Sequence, residues 1–344
     1  MNLSKEKIER SVLVMKAVDM HCDTISALLR KKQYGNPYSL AKNDLHVDLE
    51  KMRAGDYLLQ NFAMFIYTGS GRDPFEECME MIDLYEELME QEKDKIAPVF
   101  TYADIEKNEK AGKLSSMLTL EEGAVIKGDL DNLRRLYDRG ARMMTLTWNY
   151  ANEIGYPNCL DEKGAENPWG VPNTTNGLTP FGIDCVREMQ RIGMIVDISH
   201  LSDAGFYDML KYTDKPFVAS HSNARTVGGH SRNMTDDMIK KMAERGGVLG
   251  MNYCAGFLSM EQDYDKAQGT VQMIVDHLRH IKNIAGCECM GLGSDFDGIP
   301  THAELPDASY LPRLSEALEK AGFTYSEIEK IFSGNVLRVY KDCL

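Results

Sequence analysis

The chain has 344 residues, 43% of them hydrophobic, enough to bury the core of one α/β barrel with insertions or of two average domains. Its 39 basic and 53 acidic residues give a formal net charge of −14. Such a surface repels phosphate backbones and anionic membranes, which argues against nucleic-acid or lipid binding as the primary role.

Met1 to Arg10 mixes acids and bases, and the apolar stretch Val12 to Met20 is short and interrupted by Lys16 and Asp19. It matches neither a secretory signal nor a span of about 20 apolar residues, so cytoplasmic residence is the expectation. From there the chain alternates short apolar runs with amphipathic stretches. The runs predicted as strands are Ala17 to Asp23, Leu58 to Tyr67, Ser116 to Glu121, Arg142 to Trp148, Met194 to Ser199, Phe217 to His221, Gly247 to Tyr253 and Met290 to Asp295. Helical spacing predicts helices at Asp73 to Lys93, Leu130 to Arg139, Phe181 to Ile192, Thr235 to Glu244 and Val271 to Ile284. Eight alternating βα units predict a (β/α)8 TIM barrel forming one domain over residues 1–344. An open doubly wound sheet is the alternative, but no G-x-G-x-x-G follows the first strand. Asn149 to Pro180 lacks periodicity and reads as a long functional loop after the fourth strand. None of the eight cysteines is in C-x-x-C spacing, so they are expected to be reduced and to pack as small hydrophobes.

Barrel active sites gather at the C-terminal ends of the strands, and metal-competent residues recur there. His21 and Asp23 alternate onto one face of the first strand, roughly 6.6 Å apart along the chain. The third strand runs into Glu121 and Glu122, the fifth ends Asp197-Ile198-Ser199-His200, the sixth Ser220-His221, and the eighth Gly293-Ser294-Asp295. Taken singly, each has a structural explanation: a satisfied core polar group, a helix N-terminal acid or an Asx-turn. Together they would crowd several charges into a buried place, which is costly without cations to neutralise them. His46, His230, His277, His280 and His302 read as loop, helix or supporting residues rather than ligands.

The stretches Asp19-Met20-His21-Cys22-Asp23, Leu120-Glu121-Glu122-Gly123, Thr145-Leu146-Thr147, Leu178-Thr179-Pro180-Phe181-Gly182, Val196-Asp197-Ile198-Ser199-His200, Ser220-His221-Ser222, Arg232-Asn233 and Gly293-Ser294-Asp295-Phe296-Asp297-Gly298 resemble, in order and across nearly the whole chain, the membrane dipeptidase (renal dipeptidase) family of amidohydrolase-like TIM-barrel metallohydrolases. The resemblance implies a zinc-dependent dipeptidase with two Zn²⁺ ions per chain. His21 and Asp23 would hold one ion, His200 and His221 the other, and Glu121 would bridge them; Glu121 is preferred to Glu122 by its spacing to Thr145-Leu146-Thr147. It further implies that Arg232 anchors the carboxylate of a small dipeptide and that Asp295 handles protons around a hydroxide bridging the metals. A D-residue at the C-terminal side is within the expected substrate range.

In one place the chain departs from that pattern: Trp148, followed by Asn149, stands where better-known members carry a substrate-binding histidine. Trp148 and Asn149 are therefore assigned to substrate binding, with Trp148 as an apolar wall. A related amidohydrolase acting on another amide, an N-acyl amino acid or a lactone is the alternative, although the fourth strand has no lysine to carboxylate as a metal bridge. A non-catalytic barrel is a third reading, opposed by the complete ligand set. Oligomeric state, a homo-oligomer included, is left open.

Overall fold

The computed structural model describes residues 15–158, 170–261, 263 and 266–344. Nine parallel strands are present: β1 (Ala17–Asp19), β2 (Tyr57–Phe65), β3 (Ile96–Pro98), β4 (Leu114–Glu121), β5 (Met143–Thr145), β6 (Ile195–Asp197), β7 (Val218–Ala219), β8 (Val248–Met251) and β9 (Met290–Leu292). β1 pairs with β2 on one side and, through Asp19 and Leu292, with β9 on the other. The remaining strands follow in sequence back to β4, and β2 pairs with β4 from Leu59–Ser115 to Phe65–Glu121. That last pairing closes an eight-stranded barrel surrounded by helices, the (β/α)8 TIM barrel that the alternating pattern predicts.

β3 is the ninth strand and was not anticipated. It lies against only the first half of β4, from Ile96–Leu114 to Pro98–Ser116, and β5 takes over the same edge from Thr119–Met143. Three residues ending in proline offer no periodicity, and proline has no N–H to extend a ladder. Most barrel strands are also shorter than their apolar runs. Their polar ends leave the ladder to build turns at the barrel mouth, where His200 and Asp295 adopt φ of 68° and 63°.

The helices form where capping and apolar spacing agree. Asp73 caps helix Pro74–Gln91 by accepting from the Phe75 and Glu76 amides, and the helix buries Phe75, Cys78, Ile82, Tyr85 and Met89. Helices predicted at the other four positions are found within two residues of their expected ends. Helices Thr24–Gln33, Tyr102–Lys110, Asp203–Tyr212 and Asn335–Cys343 were not singled out in the sequence. The last of these stoppers the barrel floor: Val336, Val339, Tyr340 and Cys343 pack with Val18, Met20, Leu59, Met117, Met143, Ile195, Val218 and Val248. Burying each large aliphatic side chain contributes about 1.5–3 kcal/mol, and the Asn61 amide donates to the Tyr340 hydroxyl at 2.7 Å in the same layer. With the floor filled, the open end of the barrel is the end where the strands finish. No helix among the described residues is long and apolar enough to cross a membrane.

Candidate metal centre and active site

Asp19 organises the first corner of the site. Buried at the end of β1, it accepts from the Ser294 and His21 amides at 2.9 and 3.2 Å, fastening the chain after β1 to the chain after β9. This brings His21, Asp23 and Asp295 together: His21 Nε2 lies 3.5 Å from Asp23 Oδ2 and 3.9 Å from Asp295 Oδ1. From the end of β4, Glu121 Oε2 reaches to 3.3 Å from the same nitrogen. The other Glu121 oxygen, Oε1, faces His200 Nε2 at 3.3 Å and His221 Nε2 at 3.5 Å, and those two nitrogens are 3.1 Å apart. All six side chains are buried. The structure thus gathers every metal ligand expected from the sequence.

Grouping by mutual proximity also sets His21 with Glu121 and His221, and His21 with Asp23 and Asp295, each set of ligand atoms lying within 4.8 Å. These sets cut across the expected pairing. Each Glu121 oxygen addresses a different histidine group, Oε2 toward His21 and Oε1 toward His200 and His221.

Supporting contacts turn the imidazoles. His200 Nδ1 meets Asn149 Oδ1 at 2.9 Å, an acceptor, so Nδ1 carries the proton and Nε2 keeps its lone pair. His221 Nδ1 contacts Ser220 Oγ at 2.8 Å, and Ser220 Oγ in turn donates to Asp197. Asp197 is fully buried and also accepts from the Ser199 and Ser220 amides and from the Thr145 hydroxyl. Burial holds the His200 pKa down at about 4 and places His221 well below the ordinary range, so both rings are neutral. Burial opposes charge on His21 too, but Glu121 and Asp23 outweigh it and raise its pKa well above normal. For Glu121, burial raises the pKa, yet His21, His200 and His221 prevail and hold it well below the carboxylate range. Burial lifts Asp23 to about 6 and Asp295 to about 7, and in both the neighbouring carboxylates add to the rise while His21 opposes it.

Glu122 points elsewhere. With φ of 100°, it accepts from the Ala124 amide at 2.8 Å, the Trp148 amide at 2.9 Å and the Asn152 side chain. Arg232 is buried, donates from Nη2 to the His221 carbonyl at 2.9 Å, and leaves Nε without a partner; burial lowers its pKa to about 10.

A cavity of ≈ 470 Å³ opens over these groups, lined among others by Asp23, Glu121, His200, Asp295, Trp148 and Asn149. Trp148 forms a wall with Phe65, their rings edge to face at 5.1 Å, and Tyr67 and Tyr150 pack behind the indole. Asn149 therefore both lines the cavity and orients His200. His230, read from the sequence as an ordinary loop residue, lines the cavity as well, whereas its neighbour Arg232 is not part of that lining. Sequence reasoning also passed over Asn252, whose amide donates to Asp295 Oδ2 at 2.8 Å, and gave Asp197 no role of its own. Proximity to the D-I-S-H run was the available signal for Asp197; Asn252 had none.

A parallel barrel whose strand ends converge histidines and carboxylates on one cavity defines a metal-dependent hydrolase. Residues 5–343 match the model of the membrane dipeptidase family, peptidase family M19, and the chain belongs to that family. It is 32% identical to an uncharacterised dipeptidase of Schizosaccharomyces pombe, over 98% of this chain and 83% of that protein, and 31% identical to a dipeptidase of Claviceps purpurea, over 86% and 69%. Among solved structures it resembles a metallopeptidase of family M19, dipeptidase AC, with a TM-score of 0.85 and 25% identity over 96% of this chain and 99% of that one. It shares the fold, again with a TM-score of 0.85, of a Rhodobacter sphaeroides metallopeptidase carrying a phosphinate mimic of the dipeptide L-Ala-D-Ala; that likeness is at 24% identity and covers 96% of this chain and 100% of the other.

Proposed function

We propose that this enzyme is a two-zinc dipeptidase that cleaves small dipeptides, D-residues at the C-terminal side included. The observation that carries the reading is the division of Glu121 between two histidine groups. A tetrahedral zinc with bonds of about 2.0–2.1 Å has ligand-to-ligand edges of about 3.4 Å. The separations among His200 Nε2, His221 Nε2 and Glu121 Oε1 are 3.1, 3.3 and 3.5 Å. Those from His21 Nε2 to Asp23 Oδ2 and Glu121 Oε2 are 3.5 and 3.3 Å. His21 Nδ1, His21 Nε2 and Asp23 Oδ1 are buried without a hydrogen-bond partner, which a cation at Nε2 and the carboxylate would relieve in part. Imidazole and carboxylate donors without thiolates suit zinc.

His21, Asp23 and Glu121 would hold one ion, and Glu121, His200 and His221 the other. When bound, the pair supplies a Lewis acid for the scissile carbonyl and an activated water near neutral pH. The protein's own groups do the rest. Arg232, buried outside the cavity lining with Nε unpartnered, would take the terminal carboxylate when substrate enters, a role to which a guanidinium fork is suited. Asn252 holds Asp295 Oδ2, and Asp295, which lines the cavity, would accept the proton of the attacking water on Oδ1 and return it to the leaving amine nitrogen. Trp148 and Phe65 wall the cavity and keep bulk water from the reacting carbonyl. The Rhodobacter sphaeroides complex supports the choice of dipeptides with a D-residue at the second position. Dialysis against a chelator should abolish hydrolysis of L-Ala-D-Ala and Zn²⁺ should restore it, with two ions per chain by metal analysis. Active protein free of divalent metal, or turnover confined to lactones, would overturn the reading.

A further inference from the structure

Arg30, in the last turn of helix Thr24–Gln33, lines the cavity and is the one lysine or arginine among the described residues that do so. It is solvent-exposed, and among the described residues it is the one arginine whose guanidinium has no hydrogen bond, ion pair or ring contact. Two of the acids that line the cavity with it are committed elsewhere. Asp23 faces His21, and Asp297 accepts from the His46 amide at 2.7 Å through Oδ1 and from the Thr24 hydroxyl at 2.6 Å through Oδ2. In a chain of net charge −14, an arginine left unpaired on the wall of a reaction cavity is free to meet an anion from outside.

We infer that Arg30 binds the side-chain carboxylate of the substrate's first residue, so that the enzyme prefers dipeptides beginning with glutamate or aspartate. This rests on the dipeptidase reading with Arg232 at the terminal carboxylate. Around the barrel, Arg232 follows β7, while Arg30 follows β1 and Phe65 ends β2, on the far side of the ring. With the C-terminal residue drawn toward Arg232 and the scissile carbonyl over Glu121, the N-terminal residue is directed to the β1–β2 side. Phe65 and Ile299 line the cavity with Arg30 and offer apolar cover for the two methylenes of a glutamate stem. The guanidinium then meets the carboxylate at the rim, where the pair stays partly hydrated and sensitive to salt.

The test is kcat/KM of the zinc-loaded enzyme for Glu-Ala, its neutral isostere Gln-Ala, and Ala-Ala. The expected preference for Glu-Ala over Gln-Ala is about tenfold at low ionic strength, carried by KM and shrinking as salt is added. Arg30→Gln should bring the ratio to about one, and Arg30→Glu should favour Lys-Ala over Gln-Ala. A ratio near one in the unaltered enzyme, or a ratio retained by Arg30→Gln, overturns the inference while turnover of Ala-Ala upholds the dipeptidase reading. Failure to cleave any of the three overturns that reading and the inference with it.

Discussion

Glu121 and Glu122 are adjacent in the chain yet serve opposite sides of the β4 end: Glu121 lies against His21, His200 and His221, while Glu122 is engaged by the Ala124 and Trp148 amides. Their neutral isosteres should therefore fail differently. Glu121→Gln should lower the zinc content below two per chain and reduce turnover by at least about a hundredfold. Glu122→Gln should retain both ions and lose about 1–3 kcal/mol of stability as the loop after β5 loosens. Metal analysis beside thermal melts separates the two, and equal zinc loss in both variants would contradict the assignment of the bridge.

Gly298 lies directly against the site. A Cβ at this position would overlap Asp23 Oδ2 and come within 2.6 Å of Asp295 Oδ1. Gly298→Ala should leave the circular dichroism spectrum intact while displacing one or both carboxylates, with zinc affinity and turnover reduced by at least about tenfold. A fully active Gly298→Ala enzyme would show that these carboxylates are not held where the reaction needs them.

Asp295 is assigned the proton because it lines the cavity with Oδ2 held by Asn252, which leaves Oδ1 for the proton. Asp295→Asn should keep both zinc ions and lower kcat by about 10²–10⁴. Unchanged kcat in this variant, with zinc bound, would transfer the proton to another group.

Ser220 contacts Nδ1 of His221 and donates to Asp197. Its replacement by alanine should weaken zinc binding at the His200–His221 position by about 10–100-fold, read by competition with a chromogenic chelator. Zinc affinity equal to that of the unaltered enzyme would reduce the Asp197–Ser220 pair to a packing role.

Acid sensitivity is expected from Glu188 on the barrel exterior. Arg191 and then Arg134, outweighing burial, hold Glu188 at a pKa of about 2, against an ordinary value near 4.5 in the unfolded chain. A depressed carboxylate contributes stability that is fully present above the unfolded pKa and is lost as pH falls from there toward the folded one. Melting temperature should thus decline between about pH 4.5 and 2, and Glu188→Gln should flatten that part of the profile. An unaltered slope in the variant would assign acid lability to other carboxylates.

What the sequence by itself determined was the beat of short apolar runs and amphipathic helices, and with it the barrel and the mouth at which polar residues collect. Periodicity, capping and the polarity of a strand end are local properties, so Asp73, the Pro74–Gln91 helix and the ends at Glu121, His200, His221 and Asp295 could all be read along the chain. Family resemblance then chose Glu121 over Glu122 by spacing alone. Only the tertiary structure shows the two side chains diverging, because a φ of 100° at Glu122 turns it away. The same holds for Asn149 meeting His200 across 51 residues, for Asn252 holding Asp295 across 43, and for Arg30 arriving at the cavity wall. These contacts join segments remote in sequence, and barrel closure through β2 and β4 sets their distances.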